Sequence, residues 1–199
     1  MIDIKVVGVG GGAMNAVNYM IDSGLTGAEF ISCSRDELLL QMSKADKKIV
    51  LGKKMMRYGL DGSSPSRSEQ AAIESREEIL SALRGADAVI IVACLGGCDG
   101  TGASPIIAEC AREIGALTVA VVTHPYTFEG SRRTARAEVA LKNLSKHADA
   151  VIKIRNDKIL QIFDPKTPIT MAFKCIDEIL CRAVRNLLSV FQRAFRITN

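Results

Sequence analysis

An α/β fold, a parallel sheet with helices on both faces, is predicted by three features of this 199-residue sequence. Short apolar runs alternate with helix-patterned segments along the chain, the order that βαβ units produce. The run Ala88-Val89-Ile90-Ile91-Val92-Ala93 has no polar break, as a strand buried on both faces requires. Polar or glycine-rich segments then follow the strands, at the end where such Rossmann-like sheets take their ligands.

Asp3 to Val9 reads as the first strand, and Gly8-Val9-Gly10-Gly11-Gly12-Ala13 opens a helix that runs through Ile21. Taken alone this satisfies the GxGxxG/A dinucleotide fingerprint, a weak signal because any tight strand-to-helix turn near a phosphate needs similar glycines. Asn15 and Asn18 fall on the first turns of that helix, where an amide could reach a ligand or simply face solvent. Ala28 to Cys33 is a second strand, Arg35 to Ser43 a short helix and Ile49 to Leu51 a third strand. Residues 52–68 shift to Lys, Gly, Ser and Pro and read as a long loop. Glu69 to Leu83 has helical periodicity and leads, through a turn at Gly85, to the apolar run described above.

Cys94-Leu95-Gly96-Gly97-Cys98-Asp99-Gly100-Thr101-Gly102 follows that run and precedes a helix from Ala103 to Ile114. Four glycines between a buried strand and a helix let backbone N–H groups crowd around an anion at the helix's positive end. A flexible surface turn is the bland alternative, disfavoured by the loop's position on a buried strand. Leu117 to Thr123 is the next strand, followed by His124-Pro125-Tyr126-Thr127-Phe128-Glu129-Gly130. A helix from Arg132 to Lys146 and a strand from Ala150 to Ile154 then end at Arg155-Asn156-Asp157.

The last element is a long helix with Thr167 as N-cap and Pro168 in its first turn. Phe173, Ile176, Leu180, Ala183, Val184, Leu187, Leu188, Phe191 and Phe195 recur on one broad apolar stripe. Asp177 lies inside the stripe, one turn after Phe173, and a carboxylate there is costly without a partner. Interaction with the helix's positive end would explain it. So would a base-recognition pair, with Phe173 stacking and Asp177 accepting hydrogen bonds.

Composition narrows the function classes. With 48% hydrophobic and 24% charged residues the chain makes one sizeable domain, with room for a trailing element. A net charge of +4, without a basic run interleaved with aromatics, argues against nucleic-acid binding. The chain enters its first strand without a signal-peptide pattern, and nothing apolar is long enough to span a membrane, so a cytoplasmic protein is expected. The cysteines at 33, 94, 98, 110, 175 and 181 form no CxxC pair and mostly sit in apolar segments, as reduced packing residues do.

These stretches carry a family resemblance. Ile4-Lys5-Val6-Val7-Gly8-Val9-Gly10-Gly11-Gly12, the loop through Gly102-Ala103-Ser104-Pro105, Gly115-Ala116-Leu117-Thr118-Val119, Phe128-Glu129-Gly130 and Asn156-Asp157 resemble the nucleotide-binding domain of the FtsZ family, bacterial relatives of tubulin, over nearly the whole chain. The resemblance implies a GTP-binding domain over residues 1–166 and the long central helix of that fold over 167–199. Gly10, Gly11 and Gly12 with Asn15 would contact phosphates and guanine. The family's GGGTGTG signature stands here as Gly96-Gly97-Cys98-Asp99-Gly100-Thr101-Gly102. Glu129 and Arg133 would hold the ribose and the neighbouring phosphate, and Asn156, Phe173 and Asp177 would read guanine. Guanine presents two adjacent N–H donors that one carboxylate can accept, and adenine does not. The implied ligand is GTP or GDP, with Mg2+ as an optional companion. The implied partners are further copies or other FtsZ-family subunits, in a self-assembling division GTPase. A degenerate relative that acts by protein contact is the alternative.

Two departures bear on these expectations. Cys98-Asp99 stands where the family has Gly-Thr, and Asp61-Gly62 where it has Ala-Gly beside the terminal phosphate. A like-charge pair at 4 Å costs about 1 kcal/mol in water and about 4 kcal/mol at an effective dielectric of 20. A cation would reverse that, and side chains turned to solvent would avoid it; both arrangements remain open. The sequence also stops at Ile197-Thr198-Asn199, where the family's water-activating aspartate loop and activation domain would follow. No residue here is therefore assigned as catalytic or as a metal ligand, and slow GTP hydrolysis is expected.

Overall fold

The apolar runs become strands because a parallel sheet buried on both faces leaves them no polar side. The computed structural model describes residues 2–57, 64–161, 164 and 168–198. Strands β1 (Ile4–Val9), β2 (Glu29–Ser34), β3 (Lys47–Val50), β4 (Ala88–Cys94), β5 (Leu117–His124) and β6 (Ala150–Arg155) form one sheet in the order β3-β2-β1-β4-β5-β6. Every neighbouring pair is parallel, with Val6 of β1 opposite Phe30 of β2 and Ile90 of β4.

The helices are α1 (Gly10–Asp22), α2 (Glu37–Gln41), α3 (Lys53–Arg57), α4 (Pro65–Glu74), α5 (Arg76–Leu83), α6 (Asp99–Glu113), α7 (Ser131–Leu144), α8 (Asn156–Leu160) and α9 (Ile169–Thr198). Strand side chains alternate between two cores. Val7 and Val9 of β1, with Ile91 and Ala93 of β4, pack under α4, α5, α6 and α7. Ile4 and Val6, with Ile90 and Val92, pack under α1, α8 and α9. Each fully buried Val or Ile is worth about 1.5–3 kcal/mol, so this double burial is what specifies the sheet. Lys5, buried in β1, is held by Glu29 at 2.7 Å and Asp3 at 3.4 Å.

From β1 the chain runs outward to β2 and β3, then crosses back to β4 and outward again to β5 and β6. Connections therefore leave β1 and β4 in opposite directions, which opens a crevice at their C-terminal ends.

The predicted Rossmann-like parallel architecture is present, and several boundaries differ from the sequence reading. The 52–68 stretch is not one loop: α3 lies inside it, and α4 begins at Pro65, where Ser64 caps the Arg67 N–H at 3.2 Å. The single helix expected over Glu69 to Leu83 is two, broken at Ser75, whose hydroxyl accepts the Gly52 N–H at 2.9 Å. Helix α6 starts at Asp99 rather than Ala103, so half of the glycine loop is helical. Helix α8 and a 3-10 turn at Thr127–Glu129 were not anticipated. On α9, Ile176, Leu180, Val184, Leu188 and Phe191 are buried as the stripe requires, whereas Phe173 is half exposed and leaves the core. Thr167, the expected cap of that helix, lies outside the described residues, and Pro168 immediately precedes the helix.

Candidate functional site

A cavity of about 870 Å3 opens at the C-terminal ends of β1, β2, β4 and β5. Its volume falls within the range of small-molecule sites. Gly10, Gly11, Gly12 and Asn15 contribute from α1, and Gly97, Cys98, Asp99 and Gly100 from the glycine loop and the start of α6. Glu129 comes from the β5–α7 connection, Arg133 from the first turn of α7, Asn156 from α8, and Phe173 and Asp177 from α9.

The helix starts supply the site's positive character. Gly10 has φ +81° where β1 turns into α1, a conformation open to glycine and strained for other residues. Neither α1 nor α6 is capped by a side chain at its N-terminus. Their first-turn N–H groups therefore stay available to an anion at two converging positive helix ends.

Three residues of the glycine loop do not line the cavity. Thr101 is buried and its hydroxyl accepts the Gly96 N–H at 2.8 Å, so this pair closes the loop on itself. Gly102 faces α4: a β-carbon there would overlap the Pro65 carbonyl oxygen and sit 2.9 Å from the Glu69 N. Its missing side chain serves helix packing. Asn18 also lies away from the cavity; it donates to the Met42 carbonyl at 3.0 Å and accepts the Lys44 N–H at 2.7 Å.

Asp99 follows neither arrangement left open by the sequence. It accepts from Ser34 Oγ at 2.9 Å, Arg35 N at 3.0 Å, Arg35 Nε at 2.9 Å and Ser68 Oγ at 2.8 Å. Burial opposes its charge, but these donors, Arg35 first, outweigh burial and hold the carboxyl below its usual range. The side chain is 13% exposed, so it faces the protein wall and not solvent. Asp61, the companion residue in the sequence argument, lies outside the described residues. Ser34 and Arg35 went unread as site residues, although a polar pair at the C-terminal end of a strand was a usable signal.

Glu129 pairs with Arg133, and its other oxygen accepts the Tyr126 N–H at 2.9 Å. The 3-10 turn that carries Glu129 is tied to α8 by Asp157, which accepts the Thr127 N–H at 2.8 Å.

The wall formed by α8 and α9 holds unpaired acceptors. Nothing among the described residues donates to Asp177, and burial pushes its carboxyl up to about 6. Asn156 is buried and its Oδ1 has no partner among the described residues. Phe173 meets Tyr126 edge-on, with ring centroids 6.0 Å apart, and keeps half its surface open to the cavity. Such orphaned acceptors beside an open aromatic ring mark a place for a planar group carrying N–H donors.

The folded Asp177 holds its proton up to a higher pH than an unfolded aspartate, so the stability this contributes is full below about pH 4 and is lost as pH rises through 6. In ligand-free protein, Asp177→Asn should accordingly gain melting temperature relative to the parent as pH is raised from 4 to 7. Paired melting curves across that range check this; a constant offset would mean that the carboxyl is not desolvated.

Among the described residues no cluster of three His, Cys, Asp or Glu side chains is placed to hold a metal ion. No described helix is long and apolar enough to cross a membrane.

Known proteins resemble the chain in both sequence and structure. The sequence pattern of the Tubulin/FtsZ family, GTPase domain, matches residues 3–164. The "Cell division protein FtsZ 1" of Pyrococcus furiosus is 50% identical over 190 residues, which is 96% of this chain and 51% of that protein. A solved FtsZ dimer from M. jannaschii superposes with a TM-score of 0.88 at 42% identity, over 94% of this chain and 55% of that one. CetZ1 from Haloferax volcanii, at 18% identity and a TM-score of 0.78, shares the fold over 91% of this chain and 58% of its own. The chain thus spans about half the length of the curated relatives it matches. With an ordered set of glycine loops on a sheet of matching topology, and a family pattern covering most of its length, this chain belongs to the Tubulin/FtsZ family.

Proposed function

We propose that the chain binds a guanine nucleotide, with the base against Phe173, its N–H donors on Asp177 and Asn156, and its phosphates at the starts of α1 and α6. The observation that carries this reading is the pair of unsatisfied acceptors in one cavity with two uncapped helix N-termini. Guanine offers adjacent N–H donors to a carboxylate, and adenine has none to give at that edge. Membership of a family named for its GTPase domain supports the same choice. Glu129 and Arg133 are suited to the ribose and adjoining phosphate if their ion pair opens toward the ligand.

Among the described residues nothing forms a protein-held magnesium site. Asp99 is already committed to four donor contacts, and the described residues offer no carboxylate cluster. An accompanying ion would rest on the phosphates and water.

Assembly with further copies, or with other family subunits, belongs to the same proposal. Relatives carry the name of a cell division protein, and one solved relative is described as a dimer. The competing reading is a degenerate relative that acts by protein contact, favoured by the way Asp99 occupies donors on the cavity wall. Thermal unfolding separates the two. At about 100 Kd of ligand, GDP should raise the melting temperature by roughly 5–10 °C while ATP leaves it unchanged. Equal shifts with ATP, or none with any nucleotide, would sink the guanine reading.

A further inference from the structure

We propose that Asp99 is an internal anion seated where the cavity would hold a terminal phosphate, so that this site favours a nucleoside diphosphate over the triphosphate. The inference rests on the guanine-nucleotide reading and adds the length of the phosphate chain. Its basis is the donor set that converges on one carboxylate. Two hydroxyls, from Ser34 and Ser68, a backbone N–H and a guanidinium nitrogen, both from Arg35, approach it at 2.8–3.0 Å. Such a set is what a tetrahedral oxyanion would recruit. It draws on the end of β2, the β2–α2 connection and α4, and meets Asp99 in the first turn of α6 at the cavity wall.

The arrangement is built into the wall. Asp99 is 13% exposed and Arg35 15%, so their attraction is poorly screened by solvent. The carboxylate also sits at the positive end of α6, using the field that would otherwise act on a phosphate. A third phosphate arriving here meets a fixed negative charge whose neutralising partners are engaged. A diphosphate that ends short of the wall keeps the backbone N–H groups at the starts of α1 and α6 and avoids the repulsion. Threonine, the residue of the family signature at this position, would place a neutral hydroxyl here in place of the fixed charge.

Titration of GDP and GTP into the whole chain, in chelator and again with magnesium, tests the assignment. In chelator the parent protein should bind GDP at least as tightly as GTP. Asp99→Thr should move the GTP-to-GDP affinity ratio toward GTP by roughly tenfold or more, since it removes a like charge from a low-dielectric wall. Asp99→Asn keeps the side-chain shape and should shift the ratio the same way if the threonine variant folds poorly. A ratio unchanged in a folded variant, or a strong GTP preference of the parent in chelator, overturns the assignment. GDP binding that persists with an unchanged ratio would remove only the Asp99 role; absence of GDP binding to the parent would remove the nucleotide reading and this inference with it.

Discussion

Asp177→Ala is expected to weaken GDP binding by roughly 100-fold, the loss of paired hydrogen bonds to a charged acceptor, and to erase discrimination against adenine. The same change should leave the ligand-free protein no less stable at pH 7. The two effects go together because Asp177 is half-buried with no donor among the described residues, and burial alone raises its pKa to about 6. Removing it discards a desolvation cost in the empty site and a binding partner in the filled one. A residue that merely stabilised α9 would show the opposite pattern, with lower stability and unaltered base preference. Calorimetric titration with GDP and ATP, beside a melting curve of each ligand-free protein, reads both outcomes. GDP binding to the parent should also weaken as pH falls through 6, because only the ionised carboxylate accepts from both guanine donors.

Gly102→Ala is expected to destabilise the fold by about 3 kcal/mol, an overpacking cost at the upper end of its usual range. That corresponds to a fall in melting temperature of roughly 6–12 °C for a chain of this size. In an exposed helix this exchange would stabilise by about 1 kcal/mol, because alanine is the better helix former. Here the added β-carbon would overlap the Pro65 carbonyl oxygen and lie 2.8 Å from the Pro65 C. Those atoms are backbone and cannot swing aside as a flexible side chain can. Relief would require α4 to back away from α6, taking Ser68 from Asp99. Gly97→Ala is the control: among the described residues, no heavy atom beyond its chain neighbours lies within 4 Å of its added β-carbon, so thermal unfolding should be nearly unchanged. Similar melting temperatures for both variants would contradict the packing role of Gly102.

Much of the cavity lining could be read from the chain because its signals are local. Phe173 and Asp177 are separated by one helical turn, so any helix through them presents both side chains on one face. The glycines after β1 and β4 stand where strands must turn into helices, and their N–H groups point the same way whatever else the fold does. The partners of Asp99 were not legible. Ser34 and Arg35 are more than sixty residues away in sequence and Ser68 about thirty, and they meet Asp99 only once the β2–α2 connection and α4 pack beside α6. Asn18 was ambiguous for a similar reason: the turn before β3 takes up its amide, and that turn is distant in sequence.

The sequence by itself determined the alternation of strand and helix, the parallel class of the sheet and the placing of polar loops at strand ends. Apolar periodicity and unbroken apolar runs encode burial directly, residue by residue. Tertiary structure decided which glycine lines the cavity and which faces a helix, and where α6 begins. It also decided whether a carboxylate points to solvent, to a phosphate or to protein donors. Glycine is silent about its neighbours, having no side chain to reveal them. The charge of Asp99 takes its meaning from the groups that the sheet order β3-β2-β1-β4-β5-β6 and the helices above it bring within 3 Å.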